Sequence, residues 1–182
     1  MTLKELENKI AIDVAMELSD EFDRNFERKA FFDKEWKQTE ISNSKGSLMM
    51  RSGKLRRSIR YSVRENQILF SSSLPYASIH NEGGTIVVTQ KMKSFFWAMY
   101  YKASGAVTKT KKGTVGNSQR NLKLTGEAKA WKSLALMKVG HKMIIEPRQI
   151  VGDHHALDKP VKAAMDHNIK LYNDDLAKQF KP

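Results

Sequence analysis

The sequence predicts an α+β fold in which an antiparallel sheet packs against long N- and C-terminal helices, with a basic helical and loop insertion between them. A stretch at each end of the chain has apolar residues at steps of three or four, as on one face of a helix. Between these stretches, short runs of β-branched and alternating apolar residues are separated by Gly, Pro and Asn. The chain has 182 residues, 40% of them apolar. We therefore expect a single domain over 1–182, with an insertion at about 90–138.

The first predicted helix covers residues 2 to about 37. Thr2 and Glu5 have the spacing of a capping box immediately before an apolar stripe. The residues of this stripe are Leu3, Leu6, Ile10, Val14, Leu18, Phe22 and Phe26. Three further aromatic residues are expected in the core, on a second turn or a bent continuation of this helix: Phe31, Phe32 and Trp36.

A polar segment and a hairpin are predicted next. Residues 42–53 are rich in Ser, Asn, Lys and Gly, which is typical of a loop. Ser52 at its end is expected to cap a short helix. Apolar and polar residues alternate over 61–64, a polar turn follows at 65–67, and residues 68–70 are all apolar, which together predict a hairpin.

A short helix, a strand and a longer helix are predicted after the hairpin. Pro75 favours the start of a helical turn over 76–80, and Gly83-Gly84 favours its end. Residues 85–89 are almost all β-branched and predict a strand. Residues 91–103 have the amphipathic pattern of a helix.

The C-terminal third is predicted to contain a loop, two helices and a strand. Gly, Lys, Thr and Ser dominate residues 104–126, which predicts a long basic loop. We expect a helix over 126–136, a strand over 143–145 that Pro147 ends, and a last amphipathic helix over 157–180.

Basic residues are concentrated in the middle of the chain. Residues 91–138 contain eleven basic side chains and one acidic side chain, whereas residues 1–40 contain seven basic and eleven acidic ones. This pattern predicts contact with nucleic acid or with an acidic protein face, and a solvated loop explains it equally well. No known nucleic-acid-binding signature accompanies it. The candidate contact residues for DNA or an acidic partner are Lys91, Lys93, Lys109, Lys111, Lys112, Arg120 and Lys123.

The sequence contains no recognisable catalytic motif, and we expect no enzyme activity, metal or cofactor. Cysteine is absent, which excludes disulfides, thiolate metal sites and a cysteine nucleophile. Asp153-His154-His155 and the pair of His80 with Glu82 are the best metal-like groups, but neither supplies enough ligands on one side. There is no apolar run long enough for a membrane span and no signal-peptide pattern, so we expect a soluble, unexported protein.

Three short motifs occur in order along the chain. The first motif is Ser52-Gly53-Lys54-Leu55-Arg56-Arg57-Ser58-Ile59. The second motif is Tyr76-Ala77-Ser78-Ile79-His80-Asn81-Glu82-Gly83-Gly84. The third motif is Ile145-Glu146-Pro147-Arg148-Gln149-Ile150-Val151-Gly152.

Together these motifs resemble the phage virion morphogenesis (tail completion) family and the related head–tail joining proteins of long-tailed phages. In the third motif this chain has an extra Glu before Pro147, and Ile150 where the family has Phe. The resemblance extends over roughly residues 1–180. The motif residues that it singles out as structural are Ser52, Gly53, Leu55, Ser58, Ile59, Tyr76, Ala77, Ile79, His80, Gly83, Gly84, Pro147, Arg148 and Gly152.

This resemblance implies a non-enzymatic structural protein of the head–tail neck or the tail end, acting in tail completion or head–tail joining. It implies a homo-oligomeric ring and contact with other neck or tail proteins. In such a ring the lysines of the basic segment would face either packaged DNA or acidic neighbours, and no membrane association is expected. The protein is then expected in the virion, and in the host cytoplasm during assembly. The alternative prediction is a nucleic-acid-binding module that uses the basic segment 91–138.

Overall fold

The computed structural model describes residues 1–39, 46–65 and 67–179, which form helices and short antiparallel strand pairs. Long helices at both ends of the chain, with strand pairs between them, confirm the predicted α+β class. The predicted loop 42–53, the turn 65–67 and the last helix lie partly outside the described residues.

The elements follow one another along the chain in this order: α1 (Leu3–Arg28), β1 (Ala30–Phe31), β2 (Lys34–Glu35), α2 (Lys54–Ser58), β3 (Ile59–Arg64), β4 (Gln67–Ser72), α3 (Ala77–Glu82), β5 (Gly84–Val87), α4 (Gln90–Gly105), α5 (Gln119–Leu136), β6 (Lys142–Ile145), a 3₁₀ turn (His155–Leu157) and α6 (Asp158–Gln179). They belong to two compact units. Unit 1 comprises Met1–Trp36, Ser52–Glu82 and Pro147–Pro182, and unit 2 comprises Lys37–Arg51 and Gly83–Glu146.

The first helix starts as predicted and ends earlier than predicted. Thr2 and Glu5 form the expected capping box, each bonding the backbone N–H of the other (3.2 and 2.8 Å). The prediction of a helix to about residue 37 is wrong, because Lys29 adopts a left-handed conformation (φ 56°) and ends α1 at Arg28. The chain then doubles back through the β1–β2 pair, in which Phe31 lies opposite Lys34.

This turn places the predicted aromatic residues in the core of unit 1. Phe31 and Trp36 are buried, and Trp36 packs edge-on against Phe26 with the ring centroids 5.7 Å apart. Phe22 contacts Phe70 of β4 in the same way at 5.0 Å. Because burial of each large aromatic side chain contributes about 2–3 kcal/mol, these contacts hold β4 and the segment that follows β2 against α1.

The hairpin forms as predicted, and the cap of the helix before it differs. β3 pairs with β4 from Ile59 opposite Ser72 to Arg64 opposite Gln67. The residue that precedes α2 is Gly53, in a left-handed conformation (φ 66°), and no side chain caps this helix. The predicted capping role of Ser52 is therefore wrong, since its hydroxyl lies 3.5 Å from the Lys54 nitrogen, at the limit of a hydrogen bond.

In unit 2, α4 and α5 pack together as a helical pair. Their shared core consists of Phe96, Ala103, Ala128, Trp131 and Ala135. The predicted loop over 104–126 is too long, because Ser118 accepts a hydrogen bond from the Asn121 N–H (3.2 Å) and starts α5 at Gln119. The connection between the two helices is therefore 106–118.

The strands of the described residues form three separate antiparallel pairs rather than one sheet. The pairs are β1–β2, β3–β4 and β5–β6. In unit 2, β5 and β6 pair from Gly84 opposite Ile145 to Val87 opposite Lys142. These strands overlap the predicted strands at 85–89 and 143–145, whose pairing with each other was not predicted.

Candidate functional site

The third motif is held along its backbone by other parts of unit 1. The Arg148 N–H donates to the carbonyl of His80 in the second motif (2.7 Å). The indole N–H of Trp36 donates to the carbonyl of Gln149 (2.8 Å). These bonds join segments that are far apart in the sequence, and they place the third motif beside the second.

Two asparagine side chains continue this contact. Oδ1 of Asn81 accepts hydrogen bonds from the N–H groups of Ile150 (2.7 Å) and Val151 (3.0 Å). Asn25, fully buried in α1, donates to the Ile150 carbonyl (3.2 Å) and accepts from the Phe32 N–H (3.2 Å). A buried polar group without a partner costs about 1–3 kcal/mol, so both side chains fix the path of the third motif.

All three motifs line one open groove of about 340 Å³ on unit 1, which we call the motif groove. The strand β4 and the turn after it complete the wall, through residues such as Phe70 and Leu74. The motif residues in the wall are Leu55 and Ile59 of the first motif, Ala77, Ser78, Asn81 and Glu82 of the second, and Ile150 and Val151 of the third.

The first motif joins α2 to the hairpin. Leu55 is buried, and the Ser58 hydroxyl lies 2.7 Å from both the Leu55 carbonyl and the Ser72 hydroxyl. Gly53 allows the left-handed turn before the helix, a conformation that costs other residues about 1 kcal/mol or more. The small residues Gly53 and Ser58 of this motif therefore have local structural roles.

Arg56 ties the first motif to α1 by charge. Its guanidinium hydrogen-bonds the Asp23 carboxylate in a bidentate pair and lies 2.8 Å from a carboxylate oxygen of Glu27. The hydrogen bonds to Asp23 and then to Glu27 raise the pKa of Arg56 above its ordinary value. Since both carboxylates are largely exposed, we expect this network to contribute only about 1 kcal/mol.

The second motif presents one side chain outward and one inward. Tyr76 is 40% exposed and meets the His80 ring edge-on, with the centroids 5.9 Å apart. Nδ1 of His80 is buried and has no hydrogen-bond partner among the described residues. Burial, and then the positive charge of Arg148, lowers the pKa of His80 below its ordinary value.

The remaining motif residues lie around these contacts. Ile79 is half-buried on α3 and Pro147 is exposed. Gly83 follows α3 in a left-handed conformation (φ 75°), and Gly84 begins β5. Gly152 directly follows the segment that Asn81 binds.

The best metal-like group of the sequence has a structural role. Nδ1 of His154 accepts a hydrogen bond from the Ala156 N–H (3.2 Å). The ring proton therefore lies on Nε2, which donates a hydrogen bond to the Asp33 carboxylate (2.9 Å). This bond lowers the pKa of Asp33. The His154 ring also stacks on Phe32 at 4.5 Å. Among the described residues, no group of His, Asp and Glu has an arrangement that could hold a metal ion.

The seven predicted basic contact residues fall into two groups on unit 2. The connection between α4 and α5 carries Lys109, Lys111 and Lys112, and the start of α5 carries Arg120 and Lys123. All five are exposed.

Lys91 and Lys93 lie at the opposite end of the helical pair, in the first turn of α4. At this end, the rings of Phe95 and Phe96 contact the ring of Trp131, with the centroids 6.0 Å apart. Trp131 lies ten positions after Asn121 on α5. This places the two groups at least about 15 Å apart along the helix axis.

Two residues of this region were not singled out from the sequence. Asn81 occupies a position of the second motif that has no fixed residue in the family pattern, and only its distant partners reveal its role. Asn25 had a detectable signal, because it is a polar residue three positions after Phe22, at the spacing that keeps it on the face of the apolar stripe. A polar residue that a helix places toward the core needs a partner there.

Comparison with known proteins places the chain among virion assembly proteins. A model of the phage virion morphogenesis family matches residues 3–122, which include the first and second motifs. The chain therefore belongs to the phage virion morphogenesis family, and it has a structural or assembly role in a phage virion. Searches of curated proteins and of solved structures found no match. No described helix combines the length and the apolar character that crossing a bilayer requires.

Proposed function

We propose that this protein is a structural component of the head–tail neck or the tail end, and that it acts in tail completion or head–tail joining by forming a ring. Family membership supports an assembly role. The observation that carries the proposal is the convergence of all three motifs on the open motif groove. In an assembly protein, the residues that contact a neighbouring molecule must lie at an accessible surface, and the motif groove is such a surface.

We also propose that this role requires no catalysis. Two polar side chains of the motifs hold neighbouring segments together: Asn81 binds the backbone of the third motif, and Ser58 joins α2 to the Ser72 side chain of β4. Groups occupied in this way have little capacity to act as acids, bases or nucleophiles.

The ring is proposed to form by contact between copies at the motif groove. A closed ring needs two different complementary surfaces on each copy. The groove supplies a concave surface lined in part by exposed residues, including Pro75, Ser78 and Glu82. The occupant that we propose is a segment of the next copy in the ring.

The test uses a phage that lacks this gene, complemented with a plasmid copy. Without the gene, electron microscopy of lysates is expected to show unjoined heads and tails or aberrant tails. Ser78→Trp fills the motif groove from an exposed helical position and should give the same defect. The matched control is Ser133→Trp, an exposed helical serine of α5, which should restore normal particles.

A loss of stability would also impair assembly. The thermal unfolding midpoints of Ser78→Trp and Ser133→Trp are therefore measured first, and the comparison uses variants whose midpoints match. Normal infectious particles in the absence of the gene would refute the neck or tail role. Full complementation by Ser78→Trp would leave the assembly role intact and would refute the contact at the motif groove.

A further inference from the structure

We propose that unit 2 carries a binding site for the phosphate backbone of double-stranded DNA at the end of its helical pair. The residues of this site, which we call the basic end, are Lys109, Lys111, Lys112, Arg120 and Lys123. This inference goes beyond the assembly role and does not depend on it.

The first argument is the distribution of charge between the two units. Unit 1 contains seventeen basic and seventeen acidic residues and is neutral. The segment Gly83–Glu146 of unit 2 contains twelve basic and two acidic residues. One of these acids, Glu127, is only 8% exposed and lies 3.5 Å from the Trp131 indole nitrogen. The outer surface of this segment is therefore strongly positive, and it can concentrate a polyanion.

The second argument is that the basic end is held in a defined shape. The Thr110 N–H donates to the Thr114 carbonyl (2.7 Å), and the Gly113 N–H donates back to the Thr110 carbonyl (2.9 Å). Lys111 and Lys112 therefore lie within a closed turn, and Lys109 directly precedes it in a bridge to Val115. Preorganised cations lose less entropy on binding than cations on a disordered loop.

Asn121 fixes this turn to the start of α5. Its side chain is 1% exposed, accepts from the Thr108 N–H (3.1 Å), and donates to the carbonyls of Gly116 (2.7 Å) and Thr108 (3.0 Å). Because Arg120 and Lys123 flank Asn121 on the helix, the same bonds keep all five basic residues on one end of the unit.

The third argument is that no acidic side chain among residues 1–39, 46–65 and 67–179 neutralises these charges. None of the five residues forms an ion pair with any part of the chain that the structure describes. The first turn of α5 contains no acidic residue, although acidic side chains are favoured there by the helix dipole. The positive end of the helix dipole and the basic side chains thus act in the same direction.

The composition of the basic end favours DNA over an acidic protein. Lysine is depleted in the cores of protein interfaces, whereas Lys, Arg, Ser, Thr, Asn and Gln are the usual donors to phosphates. The neighbours of the basic end are exposed residues of this second kind: Thr108, Thr110, Thr114, Asn117, Ser118 and Gln119. No aromatic residue occurs between residues 102 and 130, so stacking on single-stranded bases is not available there.

The test measures binding of the purified full chain to a labelled duplex of about 30 base pairs by fluorescence anisotropy. Five phosphate contacts predict a slope of about −4.5 for log K against log salt, a weakening of about 500-fold between 50 and 200 mM KCl. The triple variant K109Q/K111Q/K112Q should bind at least about tenfold more weakly at 50 mM KCl, with a slope near −2.

The matched control is K159Q/K162Q/K170Q, which removes the same charge from exposed lysines of α6 in unit 1. It should keep its affinity within about threefold and its slope unchanged, since it removes no phosphate contact. An equal loss in both triple variants would show net-charge attraction without a site. Tighter binding of a single strand of equal length, or equally tight binding of poly-glutamate, would overturn the assignment to duplex DNA. Absence of duplex binding at 50 mM KCl would do so as well.

Discussion

At the scale of single residues, the amide of Asn81 carries two hydrogen bonds that join the second and third motifs. Ile150, one of the two donors, is 2% exposed, so water cannot replace the lost acceptor there. Asn81→Ala is therefore expected to lower the free energy of unfolding by about 2–4 kcal/mol, measured by urea denaturation.

Two variants separate this effect from a general loss of side-chain contacts. Asn81→Asp keeps the acceptor oxygens and should lose less than half as much stability as Asn81→Ala. Asn173→Ala, at an exposed position of α6, should change stability by no more than about 0.5 kcal/mol. A loss below about 1 kcal/mol for Asn81→Ala would contradict the role of this amide.

His80 gives the fold a dependence on pH. Burial and the charge of Arg148 lower its pKa in the folded protein, whereas the unfolded chain has a pKa near 6.5. As the pH falls through 6.5, the unfolded chain binds a proton that folded His80 resists, so stability is lost toward acid pH. The stabilising contribution of neutral His80 is fully present only above this window.

The urea midpoint should therefore decrease between pH 7.5 and pH 5, and His80→Gln should decrease it less over the same interval. His167→Gln is the control, because His167 is exposed on α6. An identical pH dependence in wild type and His80→Gln would show that His80 does not titrate differently on folding.

At the residue scale, the sequence identified the motifs but not the contacts that their side chains make. Gly53 and Gly83 were recognisable because left-handed turns favour glycine, and both adopt such a conformation. The partners of Asn25 and Asn81 lie up to 125 residues away, and no local pattern specifies such pairs. The bond of His154 to Asp33 likewise spans 121 residues, and no local pattern indicates it.

At the scale of elements, periodicity located the helices better than it located their ends. Apolar spacing predicted α1, α4 and α6, and alternation predicted the β3–β4 hairpin. The end of α1 was missed because Lys29 takes the left-handed conformation that glycine usually marks. The start of α5 was missed because its first residues are polar and basic, which is also typical of loops.

The connection between α4 and α5 provides a test at this scale. Asn121 is its main anchor, with bonds to Thr108 and Gly116. Asn121→Ala should free this connection while the Phe96–Trp131 core keeps the helices paired. Trypsin should then cut after Lys109, Lys111 or Lys112 at least about tenfold faster, as followed by mass spectrometry.

Asn117→Ala is the matched control, because Asn117 is an exposed residue of the same connection. Its cleavage rate should equal that of the wild type. Equal rates for Asn121→Ala and wild type would show that other contacts hold the connection in place.

At the scale of the whole molecule, the sequence gives a net charge of +12, and the two units divide it unequally. Composition alone predicted the basic segment, because charge counts do not depend on the fold. The neutrality of unit 1 could not be predicted in this way, since it sums three separated parts of the chain. The strands were also located, but their separation into three pairs depends on which strands meet in space.

This charge predicts how copies of the protein associate in the absence of DNA. Each copy carries +12, so formation of the proposed ring would bring like charges together and would be opposed at low ionic strength. The screening length falls from about 10 Å at 0.1 M salt to about 3 Å at 1 M, which weakens this repulsion. The oligomeric fraction in sedimentation velocity should therefore increase with KCl. K109Q/K111Q/K112Q should associate at lower salt than the wild type, because each copy loses three charges. A decrease of the oligomeric fraction with salt would show instead that ion pairs hold the copies together.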